Sequence, residues 1–249
     1  MHSTSQTLTF VLIMTSIVAL LLAVLQNGLK SKHDYNEALY SKKATIAAVA
    51  DHLDVDFASI TSEQVTDIFD KQIVQHVLNA NGDIISPEKL EELGVKGGKA
   101  ENLDLNKENK EEVDDRLLPL YIFTKSDGQK YYIVYSRGKG LWDEIWGNIA
   151  LESDLNTIAG VSFDHKAETP GLGAEIKDNK AWVKQFIGKK LYADNGEFKS
   201  IIVRKGGAKD PVYEVDAISG ATITGDGVAD MLEEDLIVYD PYFDKLKNK

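Results

Sequence analysis

The sequence predicts an α+β protein: one N-terminal transmembrane helix followed by a mixed domain of strands and helices. Two observations carry this reading. The chain opens on an uncharged apolar run, and β-rich segments bounded by Gly, Asp and Pro turns gather after Leu117 with helices scattered among them. Gathered strands with scattered helices indicate α+β rather than a regular βαβ repeat. A length of 249 residues holds one or two domains. A hydrophobic content of 43% and a charged content of 27% are values of a folded chain and exclude wholesale disorder. The formal net charge of -12 disfavours nucleic acid, because an acidic surface repels phosphates. With no Cys, the chain supplies no disulfide, zinc–thiolate site, thiolate iron–sulfur ligand or thiol nucleophile.

The first element is the run from Leu8 to Leu25, in which only Thr9, Thr15 and Ser16 are polar. A helix returns such hydroxyls to its own carbonyls, and the run reaches the lower edge of a bilayer span, about 17–25 residues. A cleaved signal peptide would want a basic residue before the run and small residues at its end. Here the first charged residue is Lys30, and Leu25-Gln26-Asn27 follows the apolar core. The run is therefore read as an uncleaved anchor that crosses once. Lys30 and Lys32 follow it, which by the positive-inside tendency places the C-terminal part in the cytoplasm, on the vote of two side chains.

Beyond the anchor (1–29) lies a helical and charged region (30–116), then the β-rich domain (117–249). His33 to Leu53 has a helical apolar period, as does Ser62 to Leu78, with Thr61 or Ser62 as its cap. Asn79 to Asp83 is a turn, and 87–116 reads as short helix and loop. Leu118–Phe123 and Lys130–Tyr135 form a hairpin about Ser126-Asp127-Gly128. Further strands are expected at Ile145–Leu151, Thr157–Ser162 and Ile201–Val203, with helices at Trp182–Phe186 and Ala229–Leu236. Gly225 and Gly227 weaken the start of the last helix.

Several motifs fail on inspection. Asp54-Val55-Asp56 lacks the Gly and Glu of a calcium loop further on, and Gly94 to Lys99 lacks phosphate-loop spacing. No Gly-x-Ser-x-Gly elbow is present, and the histidines show no helical metal spacing. Three glycine-rich stretches remain. Asp216-Ala217-Ile218-Ser219-Gly220-Ala221-Thr222-Ile223-Thr224 exposes hydroxyls near a helix N-terminus, where free N–H groups favour an anion such as a phosphate. By pattern alone the favoured reading is an ordinary Ser/Thr-capped turn. Gly138-Lys139-Gly140-Leu141-Trp142 and His165 to Ala174, with Pro170-Gly171-Leu172-Gly173, are either plain turns or places of close backbone approach. In the second case Trp142 and Leu172 supply apolar cover for something flat.

Gly-Leu-Trp, Glu-Thr-Pro-Gly-Leu-Gly and Asp-x-x-Ser-Gly-Ala-Thr, in this order behind a single anchor, resemble the covalent FMN-binding domain family. Across its whole length the chain resembles the C subunits of the bacterial sodium-translocating NADH:quinone oxidoreductases (Nqr). The resemblance implies FMN joined to Thr222 by a phosphoester, made from FAD by a separate flavin transferase of the ApbE type. Thr224 is the internal rival; Thr222 is preferred because it directly follows Gly220-Ala221, as the family pattern requires. It further implies that Leu141, Trp142 and Leu172 pack on the ring, with Thr169 and the backbone at Gly171 and Gly173 near it. Ser219, Gly220 and Ala221 would hold the phosphate, Lys205 would balance its charge, and Asp216 would serve recognition or loop geometry. His165 and Glu168 receive no role. The implied function is electron relay in the Nqr complex, with other Nqr subunits as partners. The domain would lie on the periplasmic side of the inner membrane, against the lysine count. The alternatives are the G subunit of the related Rnf complex and a membrane-anchored FMN-binding regulator.

Overall fold

A computed structural model describes residues 3–247. It divides into two compact units, Met1–Ser41 and Lys42–Lys249. The first helix, α1 (Thr4–Ala47), contains the apolar run, whose residues are all exposed. It is long and apolar enough to cross a membrane. The hydroxyls of Thr9 and Thr15 donate to the carbonyls of Ser5 and Val11, which satisfies them without water.

The second unit is built on a five-stranded antiparallel meander in the order β1-β2-β3-β4-β5. Its strands are β1 (Ile73–Leu78), β2 (Leu118–Thr124), β3 (Lys130–Lys139), β4 (Glu144–Leu151) and β5 (Ile158–His165). Before β1 comes α2 (Ser62–Gln72), opened by a capping box in which Thr61 and Gln64 satisfy each other's backbone N–H. The helix expected to run on to Leu78 stops at Gln72. Ile73, Val74 and Val77 fit a pleated surface, and pairing from Ile73↔Phe123 to Leu78↔Leu118 gives their backbone a ladder. Short helices α3 (Pro87–Glu92) and α4 (Leu105–Glu108) carry the chain to β2. The buried Glu108 carboxylate there accepts the N–H of Leu117 at 2.9 Å.

Both faces of the sheet are covered. On one, Leu118, Leu120, Val134, Ile145 and Ile149 meet Trp182, Phe186, Met231, Leu232 and Tyr239 in the main core. On the other, Tyr121 packs on Phe69 of α2, and Phe123 on Tyr131, which stacks on His52. Burial on both faces explains why β2 reads as a nearly continuous apolar run rather than an alternating one.

After β5 the chain forms α5 (Glu175–Asp178) and α6 (Lys180–Lys184). A two-stranded parallel ladder follows, β6 (Ile202–Arg204) with β7 (Glu214–Asp216). The last helices are α7 (Thr222–Leu236) and α8 (Asp240–Lys247). Thus the late helix begins at Thr222, not Ala229, and takes in both glycines that seemed to weaken it. A Cβ at Gly227 would lie 2.2 Å from the carbonyl oxygen of Lys139, and one at Gly138 would lie 2.6 Å from Cβ of Met231. The two glycines let α7 rest directly on the backbone of β3.

Candidate functional site

The meander topology brings distant motifs to one end of the sheet. In the antiparallel register Lys139 faces Glu144 and Ile145 faces His165, so the β3–β4 turn and the loop after β5 leave the same edge. Gly227 on Lys139 sets the N-terminus of α7 at that end too.

In the β3–β4 turn the N–H of Gly140 donates to the carbonyl of Asp143 at 2.8 Å, which leaves Leu141 and Trp142 at its tip. Trp142 is 65% exposed, an unusual state for the largest side chain, and its Nε1–H donates to the hydroxyl of Thr169 at 3.1 Å. At the rim, the N–H of Glu144 and the Lys166 ammonium hold the Asp143 carboxyl below its usual range. In the loop after β5 the N–H groups of Leu172 and Ala174 both donate to the carbonyl of Thr169. Gly171 turns through φ +74°, and Leu172 stands exposed beyond it.

The third motif is pinned on both sides of Asp216. Its carbonyl accepts from Nε1–H of Trp182 at 2.6 Å, and its N–H donates to Gln185 at 2.8 Å. The Asp216 carboxylate accepts the N–H of Ala208 at 2.7 Å, which closes the glycine turn carrying Lys205. Lys205 itself is exposed in that turn. Gly220 has φ +76°, and a Cβ there would lie 2.7 Å from Cδ2 of Leu172. The second and third motifs therefore touch.

The N-cap of α7 is Ala221, and no side chain among the described residues caps the helix. The alternative of a Ser/Thr-capped turn thus fails, and the first-turn N–H groups are left for an anion beside Thr222. Thr222 is partly exposed, whereas Thr224 is buried and its hydroxyl donates to Oε2 of Glu168 at 2.7 Å. Glu168 is 4% exposed, and its Oε1 accepts the N–H of Trp142 at 2.9 Å. A Cβ at Gly140 or Gly173 would lie 2.5 Å or 2.1 Å from this carboxylate, which is why both motifs need glycine there.

The structure thus gathers Leu141, Trp142, Thr169, Gly171, Leu172, Gly173, Gly220, Ala221 and Thr222 around one point. Ser219 stands exposed beside them, and Asp216 fixes the loop from behind. The turn carrying Lys205 is tied to the third motif through Asp216 and the β6–β7 ladder. Sequence reasoning missed Ile223, exposed next to Thr222, whose signal is a bulky apolar residue between two threonines. It also left Glu168 without a role. A buried acidic side chain has no periodic signature, because its partners Trp142 and Thr224 lie on two other segments of the chain. The residues present fit a flavin nucleotide: exposed apolar side chains for a ring, an uncapped helix N-terminus for a phosphate and an accessible hydroxyl beside it.

Comparison with known proteins agrees with this geometry. Residues 140–236 match the FMN-binding domain family, a span that holds all three motifs. The chain is 31% identical to the C subunit of the Na(+)-translocating NADH-quinone reductase of Neisseria meningitidis serogroup B, over 99% of this chain and 95% of that protein. It is 29% identical to the corresponding C subunit of Vibrio campbellii, over 91% and 88%. Among solved structures, the C subunit of the Parabacteroides distasonis reductase superposes with a TM-score of 0.72 at 33% identity, covering 86% of this chain and 96% of that one. The Shewanella oneidensis protein NqrC gives 0.65 at 28% identity, covering 84% and 97%. With sequence, fold and site in agreement over nearly its whole length, the chain belongs to the family of Na(+)-translocating NADH-quinone reductase C subunits.

Proposed function

We propose that this chain is the electron-relay subunit of a membrane-bound, sodium-pumping NADH:quinone oxidoreductase and carries FMN covalently on Thr222. The observation that carries the reading is the contrast between two hydroxyls of one motif. Thr222 stands at an uncapped helix N-terminus, while Thr224 is buried and bonded to Glu168. Similarity over nearly the full length of Nqr C subunits supports this reading over the Rnf G subunit.

When bound, FMN supplies the capacity to take up and pass on electrons singly or in pairs. The residues of the chain do the rest. Thr222 Oγ1 bonds to the FMN-side phosphorus of FAD as the P–O bond to AMP breaks. AMP leaves with the bonding pair, and the hydroxyl proton passes to a base supplied by the ApbE-type flavin transferase. The N–H groups at the start of α7 then face the phosphate. Leu141, Trp142, Leu172 and Ile223 offer apolar surface to the ring, and the bond from Trp142 to Thr169 fixes the tilt of the indole. The absence of Cys leaves iron–sulfur centres to partner subunits. α1 anchors the chain in the bacterial inner membrane among those partners, with the flavin domain on the periplasmic side.

Intact mass of the denatured chain, co-expressed with a flavin transferase, tests the attachment. The wild type is expected to gain the mass of FMN less water, and Thr222→Ala is expected to gain nothing. A modified Thr222→Ala chain would move the flavin to another residue; an unmodified wild type beside an active transferase would remove the proposal.

A further inference from the structure

We infer that Glu168 is a fixed buried anion that lowers the reduction potential of the flavin carried by this site. The inference rests on the reading that FMN is held on Thr222. Both oxygens of Glu168 act as acceptors, one from the Trp142 N–H and one from the Thr224 hydroxyl, the pattern of an ionised carboxylate. Lys166 pairs with Asp143, and Lys177 with Asp164. Among the described residues none forms an ion pair with Glu168. Its carboxylate is held by two dipoles, the Trp142 N–H and the Thr224 O–H, at the first turn of α7.

The position of this charge follows from its partners. Trp142 is one of the exposed side chains that cover the ring site, and Thr224 lies two residues, about 3 Å of helical rise, from Thr222. The carboxylate therefore lies buried against the backbone of Trp142 and the first turn of α7, which also carries Thr222. Adding an electron beside a buried anion is opposed by Coulomb repulsion. A unit charge within about 10 Å in a partly buried site changes such an equilibrium by about tenfold. The flavin is thereby kept a stronger reductant than its apolar cover alone would make it. The two glycines against the carboxylate, Gly140 and Gly173, keep it tightly enclosed.

The substitution Glu168→Gln separates charge from shape. The amide oxygen accepts from Trp142 and the amide NH2 donates to Thr224, whose hydroxyl reverses its role. The experiment is a spectroelectrochemical titration of the full-length chain in detergent, flavinylated in the cell, with loading checked by intact mass and folding by circular dichroism. For Glu168→Gln the one-electron reduction equilibrium is expected to become about tenfold more favourable, a rise of about 59 mV. The isosteric Thr224→Val removes a donor and leaves the anion less compensated, so its potential is expected to fall. That variant is read independently of whether Glu168→Gln folds. An unchanged or lower potential in Glu168→Gln, or a higher one in Thr224→Val, overturns the inference. So does a folded Glu168→Gln chain that fails to load, because the residue would then act through placement. A wild type without flavin removes the attachment reading, and this one with it; a loaded wild type with unresponsive variants removes this one alone.

Discussion

Thr222 and Thr224 show how position within one helical turn assigns different chemistry to the same side chain. A helix turns about 100° per residue, so two positions apart they point to different sides. One reaches toward solvent and the other into the Glu168 contact. Glu214 shows a second local effect. Its carboxylate accepts from the Arg204 guanidinium and from the N–H groups of Lys209 and Asp210. Arg204 first, then the backbone donors, pull it to about 2. An unfolded Glu titrates at about 4.3, so the stability this group contributes is complete above that pH and is lost as pH falls through 2. Thermal melts from pH 6 to pH 2 should show Glu214→Gln less stable than wild type at pH 6, with the difference closing near pH 2. A gap that stays constant across that range would deny the coupling.

Helix α7 carries the site, and its two glycines show why composition misplaced its start. Propensity treats Gly225 and Gly227 as losses of about 1 kcal/mol each relative to Ala. On that basis Gly227→Ala would stabilise the protein. The close approach of the Lys139 carbonyl gives the opposite sign, since the new methyl would have to displace β3. Gly227→Ala should destabilise by about 1–3 kcal/mol in equilibrium denaturation. Stabilisation by the substitution would show that α7 does not rest on β3 as described. The boundary at Gln72 has a similar origin. Residues 73–78 carry enough apolar side chains for either a helix or a strand, and only the free edge of β2 selects the strand.

For the chain as a whole, the structure supplies a helix long and apolar enough to cross a membrane and a separate compact unit built on the sheet. The proposed periplasmic placement is opposed by Lys30 and Lys32, a bias carried by two side chains. Protease added to spheroplasts should digest the flavin domain without lysis. Protection of the domain until the membrane is broken would reverse the orientation.

The apolar span, the hairpin from Leu118 to Tyr135 and the order of the three glycine-rich motifs are legible in the amino-acid order alone. These are local properties: hydropathy, period and turn chemistry act over a few residues and leave their record in adjacent letters. The strand after Gln72, the start of α7 at Thr222, the burial of Thr224 and the contacts of Glu168 emerge only in the folded chain. Each depends on a partner far along the sequence. The Glu168 carboxylate is the clearest case, since its meaning comes from Trp142 and Thr224, 26 and 56 residues away, which meet only when the meander and α7 are folded together.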